Sequence, residues 1–383
     1  MRGTNGCARA MVALGIAWSG LLRAQTAEAT RFNSLVRVCA GGDVTLGTNL
    51  DPDFIRRGED SLRRFYGVSS SPDSLVAPAR PLFAEANIVL INVEGAIGEG
   101  PVLQPKCLTS STDCFAFRQP PAAAPALRSL GGSRAVVVAN LANNHSRDAG
   151  NTGFAATRDL LEESGILVTG ADTLATPVVT GDGDTVAFLG FHSSKDNPDS
   201  RDLAAVRRHV ARAVQQFRTV IVTVHIGAEG PTAQRTRNAM ERFAGEERGN
   251  PIAFADAAIQ AGATIVVGHG PHVLRAGEWR GDRLILYSMG NLITYGPFGL
   301  HEPTNRGAIL CASIDGPGHV ASAELRATKQ RVAGAFLPDS TRRAYALVDS
   351  LSALDFPRTG VLVGSDGKIG RPDTLRAGRP PAG

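Results

Sequence analysis

Short apolar runs recur along the chain, and nearly every one ends in a polar residue. Ile88-Val89-Leu90-Ile91-Asn92, Ala135-Val136-Val137-Val138-Ala139, Val186 to Phe191, Thr219 to Val224 and Ala263-Thr264-Ile265-Val266-Val267 are brief and rich in β-branched residues. Such runs predict buried strands. Ser34 to Ala40 alternates loosely and predicts a first strand ending at Gly41-Gly42-Asp43. Between the runs lie stretches with helical spacing: Ala79 to Ala86, Ala122 to Leu130, Thr152 to Ser164, Arg201 to Phe217 and Pro251 to Ala261. In Arg201 to Phe217, Leu203, Val206, Val210 and Val214 share one stripe. Asp51 to Ser74 reads as a loop with a short helix, and Ile166 to Val168 as a short strand. Leu284 to Ser288 reads as another strand, and Ala308 to Ile314 with His319 to Leu325 as a late antiparallel pair. Strands alternating with helices predict an α/β protein.

Composition narrows this reading. The chain has 383 residues, 43% of them hydrophobic and 5% aromatic, with 43 glycines. That suits an α/β core with many tight turns. The formal net charge is only +4 and no long basic block is present, so nucleic acid is not an implied partner. Arg2 and Arg9 precede an apolar run, Ala10 to Leu22, followed by small residues. Residues 1–24 read as a secretory signal, with an uncleaved anchor as the rival and the sole route to a membrane. The expected location is therefore the cell envelope or outside the cell. Oxidising surroundings allow a local disulfide between Cys107 and Cys114, whereas Cys39 and Cys311 sit in apolar runs and read as buried thiols. A single catalytic domain over 33–340 is expected. Residues 341–383 read as an extension, partly disordered because its end is rich in Arg, Pro and Gly.

The candidate chemistry lies where strands end. Asp43, Glu94, Asn144 with His145, His225, and His269 with His272 each follow an apolar run. Strand ends are where α/β proteins build sites. In Gly268-His269-Gly270-Pro271-His272 the glycines allow close approach and Pro271 stiffens the turn. Carboxylates, an amide and imidazoles together suit one or two divalent ions such as Mn, Fe or Zn. Two ions roughly 3.5–4 Å apart would clamp an in-line displacement and supply a hydroxide at neutral pH. Arg275 and Arg306 are candidates to grip a phosphate or carboxylate of the substrate, or else surface arginines. Glu229 reads either as an orienter of His225 or as a loop residue, and Asn291 as a turn residue.

These motifs, in this order, carry a resemblance. Gly41 to Gly47, Asn92-Val93-Glu94, Ala142 to His145, His225 to Glu229, Gly268 to His272 and Tyr287 to Asn291 together resemble the CapA-like family of poly-γ-glutamate capsule biosynthesis proteins. That family is similar to the calcineurin-like metallophosphoesterases. The resemblance implies a four-layer α/β/β/α metallophosphoesterase-like sandwich with metals at the strand ends. By position it implies Asp43 on a first ion, Glu94 bridging, Asn144, His225 and His269 on a second, and His272 on the first. His145 would be the general acid, oriented by Asp148. The broader phosphoesterase pattern has a His where Thr45 stands and usually an Asp where Glu94 stands, so the first ion is short of ligands unless His192 or His301 serves it. The activities implied are hydrolysis of a phosphoester or related envelope bond, cleavage of an amide in the polymer, or non-catalytic binding of an anionic polymer. Capsule-synthesis proteins are the expected protein partners.

Overall fold

The computed structural model describes residues 35–47, 52–100, 115–180, 183–296, 300–316, 318–331 and 334–372. The expected signal segment and the Cys107–Cys114 loop lie outside the described residues. The first part of the chain gives β1 (Val36–Thr45), α1 (Pro52–Tyr66), α2 (Pro72–Val76), β2 (Ile88–Val93), β3 (Ala96–Ile97), β4 (Arg118–Gln119), α3 (Ala123–Arg128), β5 (Val136–Asn140), α4 (Gly150–Glu163) and β6 (Ile166–Thr169). Then come β7 (Thr176–Val179), β8 (Thr185–His192), α5 (Leu203–Gln216), β9 (Thr219–His225), β10 (Glu241–Phe243), β11 (Glu246–Gly249), α6 (Pro251–Gln260) and β12 (Ile265–His269). The last part gives β13 (Gly277–Arg280), β14 (Arg283–Leu286), β15 (Asn291–Thr294), β16 (Arg306–Ile314), β17 (Val320–Arg331), β18 (Ala335–Pro338), α7 (Arg343–Asp355), β19 (Leu362–Val363) and β20 (Ile369–Gly370).

Two large sheets result. One has the order β18-β17-β16-β1-β2-β5-β6, with β15 paired to the end of β1; the other has the order β13-β14-β12-β9-β8-β7. Side-chain alternation decides how they stack. Val36, Val38 and Ala40 of β1 and Ile88 and Leu90 of β2 meet Phe188, Ile221, Ile265 and Leu284 of the other sheet. Cys39, Val89, Ile91 and Val137 point the opposite way, onto Leu62, Leu75, Leu127 and Phe154 of α1 to α4. Leu189, Val222 and Val266 turn away from the shared interior toward Val206 and Val210 of α5 and Phe254 of α6. The layers are therefore helices, sheet, sheet, helices, as expected. Each buried Leu or Phe contributes about 1.5–3 kcal/mol through water removed from its surface. α5 starts where Asp202 accepts from the Ala205 amide, and α6 where Asn250 accepts from the Ala253 amide, with Pro251 in the first turn.

Three expectations change. Asp51 to Ser74 holds more helix than expected, α1 and α2 in succession. The body also extends beyond residue 340. Ala344, Val348, Val361 and Ile369 join the core between the sheets, and the Trp279 indole donates to the Gly370 carbonyl at 3.0 Å. Finally, Cys39 and Cys311 are disulfide-bonded rather than free thiols. They are register partners on antiparallel β1 and β16, which brings their Cα atoms to 4.1 Å.

Closing a loop of 272 residues, this bond restricts the unfolded chain strongly. A Cys39→Ala/Cys311→Ala variant is expected to lose about 2–5 kcal/mol of stability. Denaturant titration in non-reducing buffer checks this. A midpoint equal to that of the unaltered protein would show that the bond contributes nothing.

Candidate metal centre

At one edge of the two sheets, residues at or near strand ends form two facing rows. On the first sheet Asn291, Asp43, Asn92 and Asn140 are successive register partners. On the second the partners are His192, His225 and His269. Glycines let the backbones come this close. A Cβ on Gly42 would stand 1.9 Å from the Gly290 carbonyl oxygen, and the Asp43 amide donates to that oxygen at 3.1 Å. His272 reaches the site from a left-handed turn, φ 58°, sparsely populated by residues other than glycine.

Asp43 lies at the centre and is fully buried. Its Oδ1 accepts from Asn92 Nδ2 at 2.8 Å and lies 3.6 Å from His269 Nδ1 and 3.9 Å from His225 Nδ1. Its Oδ2 is 3.1 Å from His272 Nδ1. Asn92 is held in turn, its Oδ1 accepting from Asn140 and Asn143. Glu94 Oε1 stands between two imidazoles, 3.7 Å from Nε2 of His225 and 3.7 Å from Nε2 of His272. Thr45 donates its hydroxyl to the Glu94 carbonyl oxygen, so it braces the Glu94 loop.

The donors fit a divalent ion. Asp43, Glu94 and His225 each offer a ligand atom, all within 4.8 Å of one another. Nε2 of His225 and both ring nitrogens of His192 and His269 are buried without a hydrogen-bond partner. Buried polar atoms without partners are costly, and a cation bound among them would remove that cost. Two donors about 2.1 Å from one ion stand roughly 3.0–3.7 Å apart, close to the spacings above.

Burial and charge set the protonation states. Burial alone would raise the Asp43 carboxyl, but the hydrogen bond and charge of His272, with His269 and Asn92, hold it below the usual range. Burial would lower His272, yet the Glu94 charge and contacts with Asp43 and Glu229 hold it well above the usual value. Burial pushes His225 well down, helped by the charges of His192 and His272. It also lowers His269, against the pull of Asp43. His192 is lowered to about 3 by burial and the Arg248 charge.

Beside this cluster His145 Nδ1 lies 2.7 Å from Asp148 Oδ2. The Phe117 amide donates to the same oxygen at 2.6 Å, and its ring covers the imidazole with centroids 4.2 Å apart. His145 and Asp148 thus form a hydrogen-bonded pair in one turn. Asn144 lies in the same turn, one residue before His145.

The two arginines expected to hold substrate are engaged elsewhere. Arg275 is 1% exposed; it donates to the Ala233 carbonyl at 2.6 Å and pairs with Glu241 at 2.8 Å, holding the β10–β11 hairpin. Arg306 is buried against Asp339 at 2.7 Å and also pairs with Glu302. The guanidinium whose charge reaches both His192 and His225 is Arg248 of β11. Its partners are Glu229, 2.8 Å from its Nη1, and Glu246. Glu229 approaches His272, at 3.6 Å, not the expected His225. Asn291 is more than a turn residue, since it opens β15 and its Oδ1 lies 3.0 Å from His272 Nδ1. His192 stands in the histidine row, its ring centroid 5.4 Å from that of His225, whereas His301 is exposed.

The sequence pattern described as bacterial capsule synthesis protein PGA_cap matches residues 37–295, most of the chain. The chain belongs to this family. Capsule biosynthesis protein CapA of Bacillus anthracis is 29% identical over 175 residues, 41% of this chain and 39% of that protein. The alignment thus spans less than half of the curated relative. A 5'-nucleotidase precursor from Thermus thermophilus is 13% identical, with 85% of this chain and 59% of that one covered and a TM-score of 0.40. GAP50, the anchor in the inner membrane complex of Plasmodium, is 9% identical, with 82% and 95% covered and a TM-score of 0.33. At such scores neither likeness bears on what this family member binds or does. Among the described residues no helix is long and apolar enough to cross a membrane.

Two outcomes are expected. Arg275→Met leaves Glu241 without its buried partner and should cost about 3–5 kcal/mol with metal binding kept, measured by thermal unfolding and metal titration. Substrate loss with unchanged stability would restore the substrate-holding role. In addition, the proton held on His272 must leave before that imidazole can bind a cation. Affinity should therefore rise with pH through the neutral range, and calorimetry in buffers of different ionisation enthalpy should register proton release. A pH-independent affinity would contradict this assignment.

Proposed function

We propose that this capsule-synthesis family member is an exported metal-dependent hydrolase acting on a phosphoester, or a related bond, of a cell-envelope polymer. The observation that carries the reading is the buried Asp43–Glu94–His225 cluster, with Glu94 Oε1 equidistant from the imidazoles of His225 and His272. Asp43, Glu94 and His272 would hold one divalent ion and Glu94, Asn144, His225 and His269 another, with Mn, Fe or Zn suited to the mixed oxygen and nitrogen donors. Bound there, such ions supply Lewis-acid stabilisation of developing charge and a nucleophile at neutral pH.

The chain's own residues do the rest. Asp148 accepts from His145 Nδ1, which fixes the orientation of the ring and turns its Nε2 to the site. The proton given to the leaving oxygen would travel from Nε2. Phe117 covers the ring and limits water around it. Asn92, Asn140 and Asn143 form a relay of amides that holds the Asp43 carboxylate in place without adding negative charge.

Family membership also favours a second reading, binding of an anionic polymer such as poly-γ-glutamate together with capsule-synthesis proteins, without bond cleavage. One experiment separates the two. The metal-loaded protein is assayed on phosphomonoesters, phosphodiesters and poly-γ-glutamate, beside His145→Ala. The hydrolase reading expects phosphoester turnover, lost on chelation and reduced about 10²–10⁴-fold in His145→Ala with metal content kept. Polymer binding by both proteins, with no turnover of any substrate, would decide for the second reading.

A further inference from the structure

We propose that Glu229 is itself a ligand of the ion beside His272. This rests on the metal-dependent reading above. The His272 side of the cluster is the poorer one. Thr45, at the end of β1, turns its hydroxyl to the Glu94 backbone, and His192 lies on the far side of His225. Glu229 fills the gap from the loop that follows β9.

Its position is built, not incidental. Glu229 follows β9 by four residues. The Ile226 amide donates to the His269 carbonyl at 2.9 Å and the Gly230 amide to the Pro271 carbonyl at 3.0 Å, so the Glu229 loop is bonded along the whole His269–His272 turn. Gly227, at φ 101°, starts the loop, and its amide donates to the Arg248 carbonyl. Ala228 donates to Glu241 at 2.7 Å. The carboxylate is then oriented at both ends. Oε1 faces Arg248 Nη1 at 2.8 Å and Oε2 faces His272 Nε2 at 3.6 Å.

The spacing is the telling part. Both carboxylates that face His272 Nε2 stop short of a normal hydrogen bond, Glu94 at 3.7 Å and Glu229 at 3.6 Å. Donors sharing one ion at about 2.1 Å and angles near 120° stand about 3.6 Å apart. Charge agrees with this. Asp43, Glu94 and Glu229 bring three carboxylates to a pocket that Arg248 alone does not neutralise. A divalent ion there would offset the remainder. Arg248 would hold the ligand oxygen in its direction, as groups behind metal ligands do.

The test uses Zn²⁺ titration of the full chain by calorimetry, with bound metal counted by mass spectrometry of the purified protein. Glu229→Gln keeps an acceptor for Arg248 but removes the anionic ligand. Glu229→His cannot accept the same pairing but offers a metal-binding nitrogen. The proposal expects one Zn²⁺ event to weaken at least tenfold or vanish in Glu229→Gln and to be partly restored in Glu229→His. It is overturned if Glu229→Gln binds like the unaltered protein, or if Glu229→His binds no more tightly than Glu229→Gln. Should circular dichroism show Glu229→Gln unfolded, Glu229→Asp, which keeps the charge but withdraws the oxygen, takes its place. Unchanged Zn²⁺ binding would then overturn the proposal. If the unaltered protein binds no Zn²⁺ or Mn²⁺ at all, the metal-dependent reading itself has failed, a result distinct from a Glu229 failure.

Discussion

Asp43 carries a charge where no water reaches it, and the site is arranged around that fact. An isolated buried carboxylate would take up a proton. Here Asn92 donates to it, His272 and His269 stand beside it, and each neighbour needs support of its own. Asn92 depends on Asn140 and Asn143, His272 on Asn291, and Asn291 on the Thr304 carbonyl. Asp43, Asn92, Asn140, His269 and Asn291 sit at or near strand ends, so sheet register sets their relative positions, while His272 and Asn143 join them from the turns that follow β12 and β5.

Legibility follows sequence locality. The strands are readable because each is an apolar run bounded by turn residues, and most candidate ligands because they stand just past such runs. In sequence Asn92 is only a strand's last residue and Asn140 only part of a following motif, although both hold Asp43 in place. No local feature distinguishes a terminal Asn that spans a sheet from one that caps it. Arg275 and Arg306 mislead for a related reason. Each lies near motif residues in the chain, but their partners, Glu241 and Asp339, are more than 30 residues away. The same distance hides the Cys39–Cys311 bond, since register between β1 and β16 is a property of the finished sheet. α7, with the short strands after it, is underestimated because what its apolar residues pack against, β13 and β17, is brought to it only by the finished fold.

Glycine and strain do much of the positioning. Gly42 is needed because β1 passes the Gly290 carbonyl with no room for a side chain, and the Asp43 amide is bonded at that crossing. At the opposite wall His272 keeps a left-handed backbone although it is not glycine. Such a conformation costs about 1–3 kcal/mol and persists where surrounding contacts over-determine it. Those contacts are the Asn291 amide and the carboxylates of Asp43, Glu94 and Glu229.

The pairing of β1 with β15 and β16 also governs when the centre comes into being. A ribosome releases Asp43 roughly 230 residues before His272, and β15 and β16 emerge later still. Until then the strand carrying the central carboxylate has β2 on one side and a bare edge on the other. Pairings this distant in sequence form slowly, because a long loop must close first. A nascent or truncated chain therefore holds the parts of the candidate centre without the centre, which is assembled only as the last large strands are laid down.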